Sequence, residues 1–303
     1  MEAVVGDVPA ALLDHMPKLK LWQSTGYVTP LEYRSRPDIK HKYPDLKICR
    51  GGAGLGAVYA RTIAEWIVAA SLELVFKLGQ TTAKMAKCAW QSESPGCPVH
   101  STFGTRPALM NLTLGVIGFG KVGHEVARMA SPIFGSVVAS DPMATGEAPP
   151  DLKWWSISNE KVLEAADVVV FAFNDHINAT QGLISAESFA HVKQGALMVL
   201  FVGSLGVDEK AAYESLKSGR VGGMAINQWW ERWAWRTPRD SPLFFDADWN
   251  FAPPSTYAFN ELPNVLMAPN ACEKSTEYWA GCATLVARHL EAAAQGNISC
   301  AVN

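Results

Sequence analysis

Three glycines spaced along Gly118-Phe119-Gly120-Lys121-Val122-Gly123 are the residues whose types and spacing most clearly suggest chemistry. In such a GxGxxG pattern the first glycine permits a tight turn, the second lets a pyrophosphate approach the backbone, and the third lets a helix pack closely on a strand. Free N–H groups at the start of the helix then bind the anion. The pattern predicts a dinucleotide-binding loop, and the alternative is a merely tight turn between a strand and a helix.

Asp141 and Pro142 follow the next apolar run, about 20 residues after the glycines, which is where a nucleotide-binding carboxylate is expected. A carboxylate there accepts hydrogen bonds from the adenosine ribose and repels a 2′-phosphate. Asp141 therefore predicts NAD rather than NADP as the cofactor. Asp-Pro is also a common way to open a turn, which is the alternative role for this pair.

The segments around these residues indicate alternating strands and helices. An apolar run at 114–117 precedes the glycines, and Val122, Val126 and Met129 recur at helical spacing after them. Further strands are predicted at 136–139, 154–157, 167–173, 196–201, 223–226 and 265–267, with helices at 161–166 and 208–218. This alternation predicts an α/β fold with a Rossmann-type doubly wound parallel sheet and a ligand crevice at the carboxyl ends of its strands.

A second, smaller set of elements occupies the N-terminal third. Strands are predicted at 3–6, 18–22 and 46–49, helices at 10–16 and 59–78, and a loop-rich segment at 80–105. An amphipathic helix is predicted at 275–295.

Bulk composition excludes several classes of function. The formal net charge of −3 offers no electrostatic footprint for nucleic acid or an anionic membrane surface. No apolar run is long enough for a transmembrane helix, and the first residues do not resemble a signal peptide. The six cysteines have no metal-site spacing, so reduced thiols, no metal and a cytoplasmic location are expected.

Nearly the whole chain, residues 3–300, resembles the D-isomer-specific 2-hydroxyacid dehydrogenase family. The stretches that carry the resemblance are 17–20, 62–65, 114–123, 195–198, 207–209, 216–220 and 262–265. It implies a substrate-side, flavodoxin-like α/β domain at 1–99 and 281–303, N-terminally truncated because an initial strand–helix–strand unit is missing. It also implies an NAD-binding Rossmann domain at 100–280, a small-molecule substrate, and a homodimer formed through the NAD domain.

The cofactor-binding positions follow from the glycine motif and from the resemblance. They are Gly118, Phe119, Gly120, Lys121, Val122, Gly123, Asp141, Pro142, Phe173, Asn174, Val202, Gly203 and Asn227.

Two departures from the family pattern fall on its catalytic residues. Gly203 occupies the place of the arginine that binds the substrate carboxylate, and Asn270 occupies the place of the proton-donating histidine. The acidic partner of that histidine falls near Glu231 and Arg232. An amide can hydrogen-bond a carbonyl but cannot act as a general acid near neutral pH, so an ordinary 2-keto acid reductase is not expected.

Other polar residues are candidates to replace the missing catalytic groups. Glu273 and Lys274 could move protons, Glu231 and Arg232 could pair at the mouth of the cleft, and Arg50 could anchor an anion. The alternative for all of them is an exposed or solvated surface charge. The aromatic residues Trp229, Trp230, Trp233, Trp235, Trp249, Phe251 and Tyr257 form either a wall over the substrate or a hydrophobic dimer or domain contact.

The leading hypothesis is an NAD-dependent oxidoreductase that acts on a bulky or aromatic carbonyl, imine or enone compound. Asn270 would polarise the acceptor, and Glu273, Lys274, water or the substrate itself would handle the proton. Two alternatives remain open. One is a catalytically inactive NAD-binding scaffold or sensor, and the other is a non-redox lyase or cyclase on the same fold.

Overall fold

The chain separates into two compact units in a computed structural model, which describes residues 2–6, 15–24, 37–50, 56–87, 106–173, 180–201, 206–230 and 255–297. Unit 1 comprises residues 1–62 and 273–303, and unit 2 comprises residues 63–272. The predicted helix at 10–16 falls mostly outside the described residues.

Unit 2 is built on a parallel sheet with seven strands in the described part of the chain. The strands are β4 (Thr113–Ile117), β5 (Ser136–Ser140), β6 (Trp154–Ser156), β7 (Val168–Phe171), β8 (Ala196–Leu200), β9 (Val221–Ile226) and β10 (Val265–Met267). Their order across the sheet is β10-β9-β8-β7-β4-β5-β6, so the chain reverses its direction of travel between β4 and β7. This order confirms the predicted Rossmann-type doubly wound sheet, whose ligand crevice lies at that reversal.

Within the described residues, three of the six connections between consecutive strands contain an α-helix. These helices are α4 (Lys121–Ala130), α5 (Asn159–Ala165) and α6 (Glu209–Lys217), and they follow α2 (Ala57–Phe76) and α3 (Leu78–Lys87) along the chain, after the short α1 (Pro37–Lys42) of unit 1. Ser158 caps α5 and Asp208 caps α6, each by accepting a backbone N–H from the first turn. The caps explain why each helix begins where the preceding strand connection ends.

The core of unit 2 consists of the strands and the apolar faces that cover them. All four residues of β7 are buried, as expected for a central parallel strand covered on both sides. Packing is so close at Gly115 of β4 that an added Cβ would lie 2.5 Å from Cγ1 of Val162 on α5. A larger residue at Gly115 would push α5 away from the sheet.

Unit 1 contains a three-stranded parallel sheet of β1 (Glu2–Val5), β2 (Leu19–Ser24) and β3 (Lys47–Arg50), with β2 in the centre. Helix α7 (Thr276–Ala294) packs on this sheet and is capped by Ser275, which accepts the N–H of Tyr278. Nδ1 of His289 on α7 lies 2.8 Å from Oε1 of the fully buried Gln23 on β2. This bond ties the helix to the central strand.

Two expectations, one for residues 80–87 and one for Cys49, are wrong. Residues 80–87 belong to a helix rather than a loop, because this stretch has no proline or glycine to break it and contains alanine, lysine and methionine. Cys49 is disulfide-bonded rather than reduced, whereas Cys272 and Cys282 are not in disulfides. Disulfides form between residues that are close in space, which spacing along a sequence does not reveal.

Within the described ranges, the helices are all too short or too polar to cross a bilayer.

Candidate functional site

The glycine loop leaves the carboxyl end of β4 at the reversal point of the sheet. Gly118 has φ +93°, a left-handed conformation that favours glycine. A Cβ atom at this position would lie 2.7 Å from the backbone nitrogen of Phe173, in the segment that follows β7. Only a glycine fits here, because the backbones after β4 and β7 approach each other directly.

The second and third glycines of the motif have opposite surroundings. A Cβ at Gly120 would meet no atom within 4 Å, so open space adjoins the backbone at this point. A Cβ at Gly123 would collide with the carbonyl oxygen of Gly118. The third glycine therefore serves close packing of α4 on the loop, and the second leaves room for a ligand to approach the backbone.

The N-terminus of α4 faces this open space without a protein cap. Its N-cap is Gly120, which has no capping side chain, and its first turn contains no acidic residue. The first intrahelical hydrogen bond runs from the N–H of His124 to the carbonyl of Gly120. Lys121 is exposed at the first helical position. An uncapped helix start with a nearby lysine favours binding of an anion such as a pyrophosphate.

Asp141 is held against the glycine loop by hydrogen bonds to both carboxylate oxygens. Oδ2 accepts from the backbone N–H of Phe119 at 2.8 Å, and Oδ1 accepts from the N–H of Met143 at 2.8 Å. Each carboxylate oxygen can accept a second bond, so capacity remains for ribose hydroxyls. Met143 and Pro142 beside it are exposed. The residues present at the loop and at Asp141 fit the phosphates and ribose of NAD.

Aromatic rings surround the middle of the loop. Phe119 is buried and lies 4.1 Å from the ring of His124 and 6.3 Å from that of Trp155, between centroids. Phe173 is also buried, with its ring edge-on to that of Phe171. Neither His124 nor Trp155 belongs to the predicted site, and no spacing signal links them to it.

Asn227 follows β9 and is fully buried. Its side-chain nitrogen donates to the carbonyl of Phe201 at 3.2 Å and to Sγ of Cys272 at 3.1 Å. Its side-chain oxygen accepts from the N–H groups of Ala271 at 3.0 Å and Cys272 at 3.3 Å. An asparagine side chain has two donors and two acceptor sites, and here all four are used. A cofactor contact by Asn227, as predicted from the sequence, would have to replace one of these bonds.

Asn270 lies in the turn after β10, next to Ala271, and its side chain differs from that of Asn227 in its hydrogen bonding. Its φ of +53° is the left-handed conformation that asparagine tolerates better than most residues. The side chain is half-buried and, among the described residues, has no hydrogen-bond partner. Its amide is therefore free to bind another molecule.

The remaining residues of the predicted site include both catalytic and cofactor-binding candidates. Glu273 is half-buried and Lys274 is exposed, just before the cap of α7 in unit 1. Arg50 ends β3, and its side chain lies outside the described atoms. Glu231, Arg232, Asn174, Val202 and Gly203 lie outside the described residues. Their roles stay predictions.

The aromatic segment is partly explained by packing in the core of unit 2. The indole N–H of Trp229 donates to the carbonyl of Ala268, and that of Trp230 donates to the carbonyl of Val207. The Trp230 ring stacks on Phe259 with centroids 5.2 Å apart and planes 12° apart. Trp233, Trp235, Trp249 and Phe251 lie outside the described residues. The two placed tryptophans and Tyr257 therefore pack against the core, and the predicted wall depends on Trp233, Trp235, Trp249 and Phe251.

In the described ranges, no three His, Cys, Asp or Glu side chains lie close enough together to hold a metal ion.

A family model described as "D-isomer specific 2-hydroxyacid dehydrogenase, NAD binding domain" matches residues 68–271. This match covers the glycine loop, Asp141 and the turn that holds Asn270. It confirms the predictions of an NAD-binding domain and of NAD as its cofactor.

Similar proteins carry related names. The chain is 28% identical over 189 residues to glyoxylate reductase of Korarchaeum cryptofilum, which covers 61% of this chain and 50% of that protein. It is 32% identical over 119 residues to D-3-phosphoglycerate dehydrogenase of Bacillus subtilis, with 39% and 22% covered. The chain thus spans 22% to 50% of the length of these relatives.

One solved structure illustrates the likeness of fold. D-lactate dehydrogenase with NAD+ from Lactobacillus jensenii aligns with a TM-score of 0.75 at 20% identity, over 99% of this chain and 86% of that one. At this level of identity the alignment establishes the shared fold and nothing finer.

Proposed function

Because the chain belongs to the D-isomer specific 2-hydroxyacid dehydrogenase family, we propose that it is an NAD-dependent oxidoreductase with an altered substrate. The substrate would be a carbonyl, imine or enone compound, bulky or aromatic, that does not depend on a carboxylate for binding. The observation that carries the proposal is the pairing of a complete nucleotide loop with an unpaired amide at Asn270.

The nucleotide half of the proposal rests on the loop geometry. The open side of Gly120, the uncapped start of α4 and the anchored carboxylate of Asp141 suit pyrophosphate and ribose. When bound, NADH supplies the hydride. The chain's own residues must then orient the acceptor and manage the proton.

The substrate half rests on what stands in the place of the usual groups. The free amide of Asn270 can donate a hydrogen bond to a carbonyl oxygen and so polarise it, but it has no proton to transfer near neutral pH. Gly203 offers no charge for a carboxylate. A substrate whose product anion is already stabilised needs no strong acid, and Glu273, Lys274 or water would complete the proton balance.

A steady-state assay with a matched substrate pair tests the proposal. Phenylpyruvate and its methyl ester share one aromatic skeleton and differ by one charge, so their rates with NADH report on the need for an arginine. We expect the neutral ester, or other neutral aromatic ketones, imines and enones, to be reduced faster than the acid. Faster reduction of the acid would show an ordinary 2-keto acid reductase instead.

A second candidate function is an NAD-bound scaffold without turnover. It is favoured by the neutral, hydrogen-bonded surroundings of Asn227 and by an amide in place of an acid at Asn270. Saturable NADH binding with background rates for every carbonyl, imine and enone offered would support this function and reject the oxidoreductase.

Assembly and location belong to the same proposal. We infer a homodimer through the NAD domain and a cytoplasmic setting. The cytosol keeps thiols reduced, so the disulfide of Cys49 argues against the second point and makes fractionation its deciding test. Light scattering of the purified chain and fractionation of its native cells test the two points separately.

A further inference from the structure

The turn between β10 and α7 is fixed on both sides of Asn270. On the N-terminal side, the N–H of Ala268 donates to the carbonyl of Ile226 at 2.8 Å, and its carbonyl accepts the indole N–H of Trp229 at 3.0 Å. On the C-terminal side, the N–H groups of Ala271 and Cys272 donate to the side chain of Asn227. The left-handed residue thus lies between two anchored points.

The anchor on the C-terminal side depends on an amide in particular. The Asn227 nitrogen donates to the carbonyl of Phe201, next to β8, while its oxygen accepts from the turn after β10. The side chain therefore joins the ends of three neighbouring strands, with β9 in the middle. A carboxylate could accept from the turn, but it could not donate to Phe201 or to Cys272.

We propose that Asn227 is a positioning residue that holds the 268–272 turn in place so that Asn270 presents its free amide to the substrate. Its catalytic consequence rests on the function proposed above. The clamp, which is the set of hydrogen bonds that join the Asn227 side chain to Phe201, Ala271 and Cys272, is a property of the fold and can be tested without turnover.

Asn227→Asp keeps the shape of the side chain and changes its hydrogen bonding, so it distinguishes the hydrogen bonds of the clamp from the packing of the side chain. The ionised carboxylate would place lone pairs against the carbonyl of Phe201 and Sγ of Cys272, and the only titratable group among its described contacts is the Cys272 thiol. The protonated acid regains one donor and is close in shape to the native amide. In Asn227→Asp the hydrogen bonds that hold the turn should therefore be weakened at neutral pH and regained at low pH. In Asn227→Ala they should be lost at every pH.

Asn264→Asp is the matched control. Asn264 likewise donates twice through its amide nitrogen, to the backbone carbonyls of Leu216 at 3.3 Å and Gly222 at 3.4 Å, but at the other end of β9. This substitution carries the same chemical change away from Asn270.

Accessibility of Cys272 reports on the clamp without any substrate. Cys272 is only 8% exposed and is not disulfide-bonded, so iodoacetamide labelling, followed on the Cys272 peptide by mass spectrometry, measures how often the turn opens. We expect labelling to accelerate about tenfold in Asn227→Ala, and in Asn227→Asp at neutral pH. Amide exchange of Ala271 and Cys272 should accelerate in parallel, and Asn264→Asp should behave as wild type. Unchanged labelling and exchange in both Asn227 variants would overturn the clamp.

The pH profile of reduction reports on positioning. In Asn227→Asp the rate should rise as the pH falls through the pKa of the new carboxyl, while wild type and Asn264→Asp lack this rise. On this proposal the Asn227 side chain is bonded within the protein and takes the positioning role in place of the cofactor contact predicted from the sequence, so NADH affinity should stay within about twofold in all variants. A pH profile parallel to that of wild type, or a loss of NADH affinity equal to the loss of rate, would contradict the positioning role.

If the wild type reduces nothing, the proposed function fails, and cysteine labelling and amide exchange alone decide whether the clamp exists. Thermal unfolding identifies any variant that does not fold. If Asn227→Ala does not fold, the clamp is tested by Asn227→Asp alone, through its labelling at low and at neutral pH.

Discussion

The carboxylate of Asp141 accepts a hydrogen bond of 2.8 Å from the backbone N–H of Phe119, the second residue of the glycine loop. The bond joins the carboxyl ends of the neighbouring strands β4 and β5. A second bond from the N–H of Met143 fixes the other carboxylate oxygen. The acidic group and the loop therefore form one preorganised surface, on which ribose and pyrophosphate would be bound together.

Asp141→Asn should change the choice of cofactor. The asparagine side chain has one oxygen that accepts hydrogen bonds where aspartate has two, and it carries no charge to repel a 2′-phosphate. NADH affinity should fall by about tenfold, the loss expected for a hydrogen bond to a charged group, and the preference over NADPH should shrink. Titrations with both nucleotides measure this, with Asp151→Asn, another partly exposed aspartate of unit 2, as the control. An unchanged NADH-to-NADPH ratio would remove Asp141 from the site.

Gly118→Ala should destabilise unit 2 more than Gly146→Ala. Both glycines have positive φ, so both substitutions incur the left-handed strain of about 1–2 kcal/mol. Only at Gly118 does the new Cβ meet backbone, at 2.7 Å from the nitrogen of Phe173, whereas Gly146 has open space. Overpacking adds about 1–3 kcal/mol. Urea unfolding of the two variants gives the comparison, and equal losses would contradict the close approach of the two strands.

Asn270→Gly and Asn270→Ala separate the backbone role of this residue from its side chain. Glycine adopts φ +53° freely, while alanine there costs about 1–2 kcal/mol. Stability should fall in the alanine variant only, and the rate of reduction should fall in both because both lose the amide. Full activity in Asn270→Gly would show that the residue was selected for its conformation alone.

Alkaline pH should weaken unit 1. Burial, followed by the neighbouring Cys282, raises the pKa of Tyr278 above its ordinary 10.0, and burial raises the pKa of the Cys282 thiol above 9.0. A pKa raised in the folded state means that the contribution to stability is complete below the unfolded value and is lost as the pH rises. Unfolding free energy should therefore decline from about pH 9 upward.

Tyr278→Phe should remove the tyrosine part of that decline, and Tyr257→Phe in unit 2 serves as its control. Chemical denaturation at a series of pH values provides the measurement. A decline of the same steepness in Tyr278→Phe and wild type would assign the alkaline loss to other groups.

The elements of unit 2 were predictable because their residues give strong and local signals. Uninterrupted apolar runs at β4, β7 and β8 allow few other arrangements, and three glycines at fixed spacing define the turn between β4 and α4. The same holds for Asp141, whose position after β5 is set by the length of one strand–helix–strand unit. These features depend on neighbours along the chain.

Other features depend on residues far apart in sequence, and these could not be predicted. The hydrogen bonds between the Asn227 side chain and the N–H groups of Ala271 and Cys272 span 44 and 45 positions, and no sequence pattern predicts them. Trp230 was expected either in an aromatic wall or in a hydrophobic dimer or domain contact, and the sequence did not indicate that its ring stacks on the buried Phe259. The Cys49 disulfide and the ring contact between Phe119 and Trp155 are likewise products of the tertiary fold.

The most direct measurement is an NADH titration of wild type and Gly120→Ala, followed by energy transfer from tryptophan to the reduced nicotinamide. Gly120 has an ordinary φ of −80° and an added Cβ would meet no protein atom within 4 Å, so the variant should unfold at the same temperature as wild type. We expect saturable transfer in wild type and its loss in Gly120→Ala, because the methyl group occupies the space through which the pyrophosphate reaches the backbone. Equal NADH affinity in the two proteins would contradict the assignment of this loop as the nucleotide site.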